Sequence, residues 1–311
     1  MFKKIAQILV ELAAGFFCLL AFYLVYKEIK DVGFAAIRKS LFQTPILFLS
    51  VAAVFVLCDY IALSGYDFLA LKYIRKKLPF LKVLKAAMIS FSVTNTTGHA
   101  YIAGGSIRYL FYSKLGLNEV DILKMIAFES LTFLIGMVAV FDISLIFVHF
   151  LDIPVLGQKA LPFDIGAVVL TLILLLYVLF IVWPHRKIQF KQVFIPAPSM
   201  KMTLKQLILG GCDILSSSAV FYLLLKAHAD VHFFHVVPIY LLAQIIGIST
   251  QVPGGLGVFE GTFLYLFPHT MAEKSGILAA LISFRLLYYF VPLIISGLFL
   301  AIEQLFVKSS D

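Results

Sequence analysis

Phe234–Phe267 reads FHVVPIYLLAQIIGISTQVPGGLGVFEGTFLYLF, an apolar run long enough to enter a bilayer but cut by Pro253-Gly254-Gly255-Leu256-Gly257. Proline and glycine break helices. In lipid a break leaves backbone groups unpaired, which is tolerated only where it lies inside protein or beside a water-filled cavity. A second apolar region, Val83–Tyr112, is interrupted by Thr94-Asn95-Thr96-Thr97-Gly98 and then by Gly104-Gly105. Both regions read as paired half-helices that enter the membrane and turn back.

The rest of the chain places these hairpins in a membrane. Of 311 residues, 62% are hydrophobic and 14% charged, against about 25% charged in an ordinary globular domain. Six segments approach or exceed the ~20 apolar residues that span a bilayer as helix: Ile5–Tyr26, Pro45–Gly65, Met125–Phe150, Ile165–Trp183, Leu204–Leu225 and Gly276–Phe306. The N-terminal run is too long for a typical signal peptide and has no small-residue cleavage site after it, so it reads as a membrane helix. The expected fold is all-α: a single transmembrane domain over 1–311, a polytopic bundle of about six full crossings plus two re-entrant half-helix hairpins.

The net charge of +8 does not point to nucleic acid, because the basic residues sit in short loops between apolar runs. Lys72–Lys85 holds six and Pro184–Lys205 five, whereas Leu151–Asp164, Lys226–His235 and Pro268–Ser275 hold one each. The positive-inside rule makes the rich loops cytoplasmic and, with the hairpins as re-entrant elements, puts both termini inside. Lys27–Thr44, with four, departs from that pattern. Cys18, Cys58 and Cys212 are scattered and show no metal or disulfide spacing. His228, His232 and His235 fall at helical spacing without a carboxylate set, so neither metal nor cofactor is expected. There is no G-x-x-x-x-G-K-[ST] loop for ATP.

The hairpins recur with a pattern. Gly104-Gly105 and Arg108 are followed by Glu129; Gly254-Gly255 and Glu260 are followed by Arg285. This predicts an inverted repeat, with halves at about 83–150 and 204–306 and the charge signs exchanged, a transporter signature with its substrate site near the midplane. A charge in the middle of a membrane helix costs about 2.5–3.5 kcal/mol on insertion scales, and such residues favour function. Arg108, Glu129, Glu260 and Arg285 are therefore the leading candidates, either as ion pairs that fix packing or as the lining of a wet pocket. Helices starting after Gly105 and after Gly257 would point free N–H groups at an anion such as phosphate. Asn95, Thr96, Ser106, Thr250 and Gln251 add neutral donors and acceptors. Asp213, beside Gly210-Gly211, and Asp59 are buried-carboxylate candidates of open role, and Tyr288-Tyr289 adjoins Arg285.

Gly98–Gly116 (GHAYIAGGSIRYLFYSKLG), Pro253–Gly261 (PGGLGVFEG) and Arg285–Ile294 (RLLYYFVPLI) resemble the bacterial lysylphosphatidylglycerol synthase transmembrane family, which includes the multiple peptide resistance factor. The resemblance runs over roughly residues 5–306. It implies a lipid flippase in the bacterial cytoplasmic membrane, moving aminoacylated phosphatidylglycerol outward and so protecting against cationic antimicrobial peptides. The family's full proteins make that lipid with a C-terminal soluble domain. This sequence ends at Asp311, past its last apolar run, so the expectation is translocation without synthesis.

The leading expectation is a phospholipid translocase whose partner is a membrane phospholipid, such as lysyl-phosphatidylglycerol. Its site is drawn from Arg108, Glu129, Glu260, Arg285, Gly104, Gly105, Gly254, Gly255, Gly257, Asn95, Asp213 and Tyr288. Two other readings stay open: a membrane transferase acting on a lipid headgroup, and a non-transporting partner of a separate lipid-modifying enzyme.

Overall fold

The computed structural model describes residues 33–97, 100–150, 193–250, 252–268 and 273–308. It also describes 168–169, 171–172, 175–176 and 187–190, and the single residues 30, 179 and 270. The expected first helix Ile5–Tyr26, the Leu151–Asp164 loop and most of Ile165–Trp183 lie outside these residues.

The described chain runs α1 (Phe34–Gln43), α2 (Ile46–Tyr73), α3 (Phe80–Thr97), α4 (Ala100–Lys114) and α5 (Glu119–Phe150). A two-stranded ribbon follows, β1 (Lys187–Phe190) antiparallel to β2 (Val193–Pro196) with Ile188 opposite Ile195. Then come α6 (Met200–Lys226), α7 (Phe233–Ser249), a 3₁₀ turn at Pro253–Gly255 and α8 (Val258–Leu266). Last are α9 (Lys274–Phe284), a π-helical segment Arg285–Phe290 and α10 (Val291–Lys308). Four helices are long and apolar enough to span a bilayer: α2, α5, α6 and the continuous α9–π–α10 rod. The four match the expected spans Pro45–Gly65, Met125–Phe150, Leu204–Leu225 and Gly276–Phe306.

The connection Lys27–Thr44 contains α1. Two local expectations are corrected. The stretch Pro184–Lys205 holds the β1–β2 ribbon, whose KIQF and VFIP sequences are rich in the branched and aromatic residues that favour strands. The helix expected to start after Gly105 starts at Ala100, so Gly104 and Gly105 lie within α4. A helix tolerates interior glycine at a cost of about 1 kcal/mol each. At Gly105 the missing side chain leaves room for Ile126, whose Cδ1 would stand 3.4 Å from an added Cβ.

The long helices are held by backbone contact and aromatic packing. Where α5 crosses α6, a Cβ on Gly210 would fall 2.4 Å from the Thr132 carbonyl oxygen, and one on Gly136 would fall 2.2 Å from the Gly210 carbonyl carbon. Small residues at such crossings let helix backbones touch, which is how membrane helices gain packing energy without a hydrophobic drive. One turn away, Gln206 Nε2 donates to Thr132 Oγ1 at 2.9 Å and to the Phe128 carbonyl at 3.3 Å, tying α6 to α5. Beneath the second hairpin, fully buried Phe221 of α6 meets Phe263 and Phe284 edge-on, with centroids 4.7 and 5.3 Å away.

Helices α3 and α4 fold against one another across residues 98–99, and α7 and α8 pack together around the Pro253–Gly255 turn. The two breaks meet. Gly254 has φ +58°, a left-handed conformation that glycine adopts freely. A Cβ there would stand 3.4 Å from the Thr96 carbonyl oxygen, at the end of α3.

A paired substitution tests the α5–α6 crossing. Gly210→Ala is expected to destabilise the protein by about 1–3 kcal/mol through overpacking against fixed backbone. Gly211→Ala, with nothing within 4 Å of its Cβ, is expected to be neutral or to stabilise by up to about 1 kcal/mol. Thermal unfolding of the purified protein in detergent separates the two.

Candidate functional site

A cavity of about 190 Å³ lies where the two hairpins meet the long helices, room for several waters or a small polar group. Of the residues expected at a site, Asn95, Gly105, Arg108, Glu129, Asp213, Gly254, Gly255 and Tyr288 line it. Gly104 lies in α4, and Gly257, Glu260 and Arg285 stand outside the lining. Gln251 lies outside the described residues. Thr96 and Thr250 turn their hydroxyls back on their own helices, donating to the Ser92 and Gly247 carbonyls at 2.9 and 2.8 Å.

The four buried charges form two pairs. On the first hairpin, Arg108 of α4 sets its Nε 2.8 Å from Glu129 Oε2 of α5 and its Nη2 3.3 Å from Asp67 Oδ1 of α2. Its guanidinium lies over the Phe91 ring, 4.4 Å from the centroid, and the Tyr112 hydroxyl donates to Asp67 Oδ2. Asp67 escaped the sequence reading; the available signal was a second aspartate eight residues after Asp59 in one apolar helix.

On the second hairpin the signs are exchanged. Arg285, at the start of the π segment, donates from Nε to Glu260 Oε1 at 2.6 Å, from Nη2 to the Gly255 carbonyl at 3.2 Å, and from Nη1 to the Gly254 carbonyl. Its guanidinium also lies 4.6 Å from the Tyr289 ring centroid. Glu260 turns its other oxygen to the start of its own helix, where Oε2 accepts from the Gly257 N–H at 2.7 Å. The N-terminus of α8 thus carries its own carboxylate in the place expected for a bound anion, an acidic cap of the kind helix N-termini favour. Arg285 and Glu260 brace the broken turn instead of facing the cavity.

The remaining lining is rich in acceptors. Glu129 Oε1, Gln244 Oε1 and Thr94 Oγ1, from three different helices, are buried without a protein hydrogen-bond partner, and all three residues line the cavity. Asp213 Oδ2 accepts from the Tyr66 hydroxyl at 2.6 Å, and Asp59 Oδ2 from the Tyr288 hydroxyl at 2.7 Å. Among the described lining residues Arg108 is the one cation, set against the two carboxyls of Glu129 and Asp213.

Four apolar spans around a cavity that holds buried charged side chains define a polytopic membrane protein. The chain belongs to the family described as the lysylphosphatidylglycerol synthase TM region, whose model matches residues 8–296. It is 33% identical over 243 residues to an uncharacterized Synechocystis protein, covering 76% of this chain and 74% of that one. It is 29% identical over 244 residues to the inner membrane protein YbhN of Escherichia coli, covering 78% and 75%. The phosphatidylglycerol lysyltransferase of Bacillus subtilis is 27% identical over 258 residues, which is 78% of this chain but only 28% of that much longer protein.

The bracing role of Arg285 makes a sharp expectation. Arg285→Ala leaves Glu260 buried and two carbonyls without a donor, and is expected to cost about 3–5 kcal/mol, the scale for breaking a buried pair. Arg285→Lys is expected to recover only part of this, because a single ammonium cannot reproduce three donors fixed in one plane. Unfolding midpoints of the two variants against the parent protein check both statements.

Proposed function

We propose that this protein is a phospholipid translocase of the cytoplasmic membrane, carrying a lipid with an amine-bearing headgroup between leaflets. The observation that carries the reading is a set of buried polar atoms in a mostly apolar wall: unpartnered oxygens of Glu129, Gln244 and Thr94, the carboxyl of Asp213, and Arg108 as the counter-charge. An ammonium satisfies the acceptors, and a phosphate suits Arg108, whose fork-shaped guanidinium matches phosphate oxygens. Lysyl-phosphatidylglycerol and other aminoacylated or zwitterionic phospholipids carry both groups. The cavity has room for a small polar group such as an ammonium or a phosphate, so the acyl chains stay in the bilayer, against the apolar outer faces of the long helices.

The two broken segments act as re-entrant hairpins, and their opposite charge order reflects an inverted repeat, about 83–150 and 204–306. Reciprocal motion of the two halves about the midplane site gives alternating access. Membership in a family named for a lipid synthase, and likeness to a phosphatidylglycerol lysyltransferase over 28% of that protein, support handling of a phospholipid. On this reading both termini face the cytoplasm.

Purified protein in vesicles holding labelled lysyl-phosphatidylglycerol or phosphatidylglycerol tests this. Transbilayer movement of the lysyl lipid is expected, and Glu129→Gln is expected to slow it by tenfold or more, the scale of one charge-assisted hydrogen bond, while slowing phosphatidylglycerol less. Equal loss for both lipids removes the headgroup assignment. Chemical conversion of the lipid without movement replaces the carrier with a transferase.

A further inference from the structure

Asp59 and Asp213 have no place in the charge pairing described above. Asp59 lies in α2 and Asp213 in α6, two helices packed along much of their lengths. The two residues are 0% and 3% exposed, and the Tyr66 hydroxyl that bonds Asp213 projects from α2 about two turns after Asp59, on the same helix face, which sets both carboxyls on the α2–α6 seam. Each gives its Oδ2 to a tyrosine hydroxyl, Tyr288 for Asp59 and Tyr66 for Asp213. The remaining Asp59 oxygen, Oδ1, is buried without a donor. Among the described residues no lysine, arginine or histidine forms an ion pair with either aspartate.

Among the described residues the surroundings supply no cation. Around Asp59 stand Cys58 and Tyr60 of its own helix, Asp213 of α6, Tyr240 of α7, and Tyr288 and Tyr289 of the π segment. Around Asp213 stand Tyr66 of α2, Tyr240 and Tyr288. Arg285 and Arg108 are engaged with their own carboxylates. Two buried carboxylates side by side resist ionising together. One proton resolves the conflict: the protonated carboxyl becomes a donor to its neighbour, and the orphaned oxygen gains a partner.

We propose that Asp59 and Asp213 form a one-proton carboxyl pair, and that this proton exchanges against the cationic headgroup in the cavity. Asp213 lines the cavity whereas Asp59 stands behind it, joined to the wall through Tyr288. An ammonium arriving beside Asp213 favours its ionised form and expels the shared proton; the returning proton expels the ammonium. Proton and headgroup thus compete for one negative charge, and by linkage each weakens the other's binding. An inward proton gradient then drives an amine-bearing lipid outward. The exchange rests on the lipid-carrier reading above; the shared proton does not.

Two measurements separate those claims. Infrared spectra of the purified protein at neutral pH, parent minus Asp59→Asn/Asp213→Asn, are expected to show the C=O band of one protonated carboxylic acid. Asp59→Asn alone serves as the second variant should the double one unfold. Identical spectra overturn the proton pair. Stabilisation by sodium over choline at constant ionic strength, without the band, overturns it in favour of a metal cation. In vesicles, an inward-directed proton gradient is expected to raise outward movement of lysyl-phosphatidylglycerol at least severalfold in the parent protein and not in Asp59→Asn. The band together with gradient-independent movement overturns the exchange. The band with no lipid movement leaves the proton pair standing and removes the carrier reading.

Discussion

A helix broken inside a membrane leaves carbonyls that lipid cannot satisfy, and the guanidinium of Arg285 takes two of them, from Gly254 and Gly255. Most of the site follows from that interaction. Arg285 can be buried only because Glu260 neutralises it. Glu260 is held in place because its second oxygen caps α8 at Gly257. The turn so fixed sets Gly254 against the Thr96 carbonyl at the end of the first hairpin, and the cavity opens at that junction. A π-helical stretch carries Arg285, Tyr288 and Tyr289 to the interior. Pro292, lacking an N–H, leaves the Tyr288 carbonyl without its usual helical donor, and π segments often mark functional sites.

The legible part of this architecture was the part written as composition or as helix breakers. The long spans α2, α5, α6 and α9–α10 follow from apolar length, and both hairpins follow from interruptions in otherwise apolar runs. The charges Arg108, Glu129, Glu260 and Arg285 stand out because each is expensive in its helix. What could not be read was which charge meets which. The sequence shows two positive and two negative residues, whereas pairing depends on helix rotation and on a third carboxyl, Asp67, that looked no different from Asp59. The start of α4 was misplaced because Gly104-Gly105 suggests a break as strongly as Gly98 does. Only packing against Ile126 shows the glycine pair serving proximity within a continuous helix.

The sign of the ligand is where structure changes the argument most. On sequence alone, arginines near helix N-termini favour an anion. In the folded protein one N-terminus is already capped by Glu260, Arg285 is fully engaged, and Arg108 is shared between Asp67 and Glu129. Among the described buried residues five carboxyls (Asp59, Asp67, Glu129, Asp213, Glu260) face two guanidiniums (Arg108, Arg285). Such an excess cannot persist in low dielectric as bare charge, since an unpaired buried carboxylate costs far more than a protonated one. Protonation or a bound cation relieves that excess.

That requirement joins the two halves of the interior. The Arg285–Glu260 brace is balanced, so it can hold the turn rigid whatever occupies the cavity. The Arg108 cluster and the Asp59–Asp213 pair both hold more carboxyls than guanidiniums, and they flank the same space through Glu129 and Asp213. In the proposed carrier, a zwitterionic headgroup suits that asymmetry better than a simple anion, with phosphate toward the guanidinium of Arg108 and amine toward the carboxyls. The packed crossing at Gly136 and Gly210 lies on the α5–α6 seam from which both of those carboxyls project. Backbone contact at that seam fixes the spacing of Glu129 and Asp213, and with it the separation between the charges that a ligand must match.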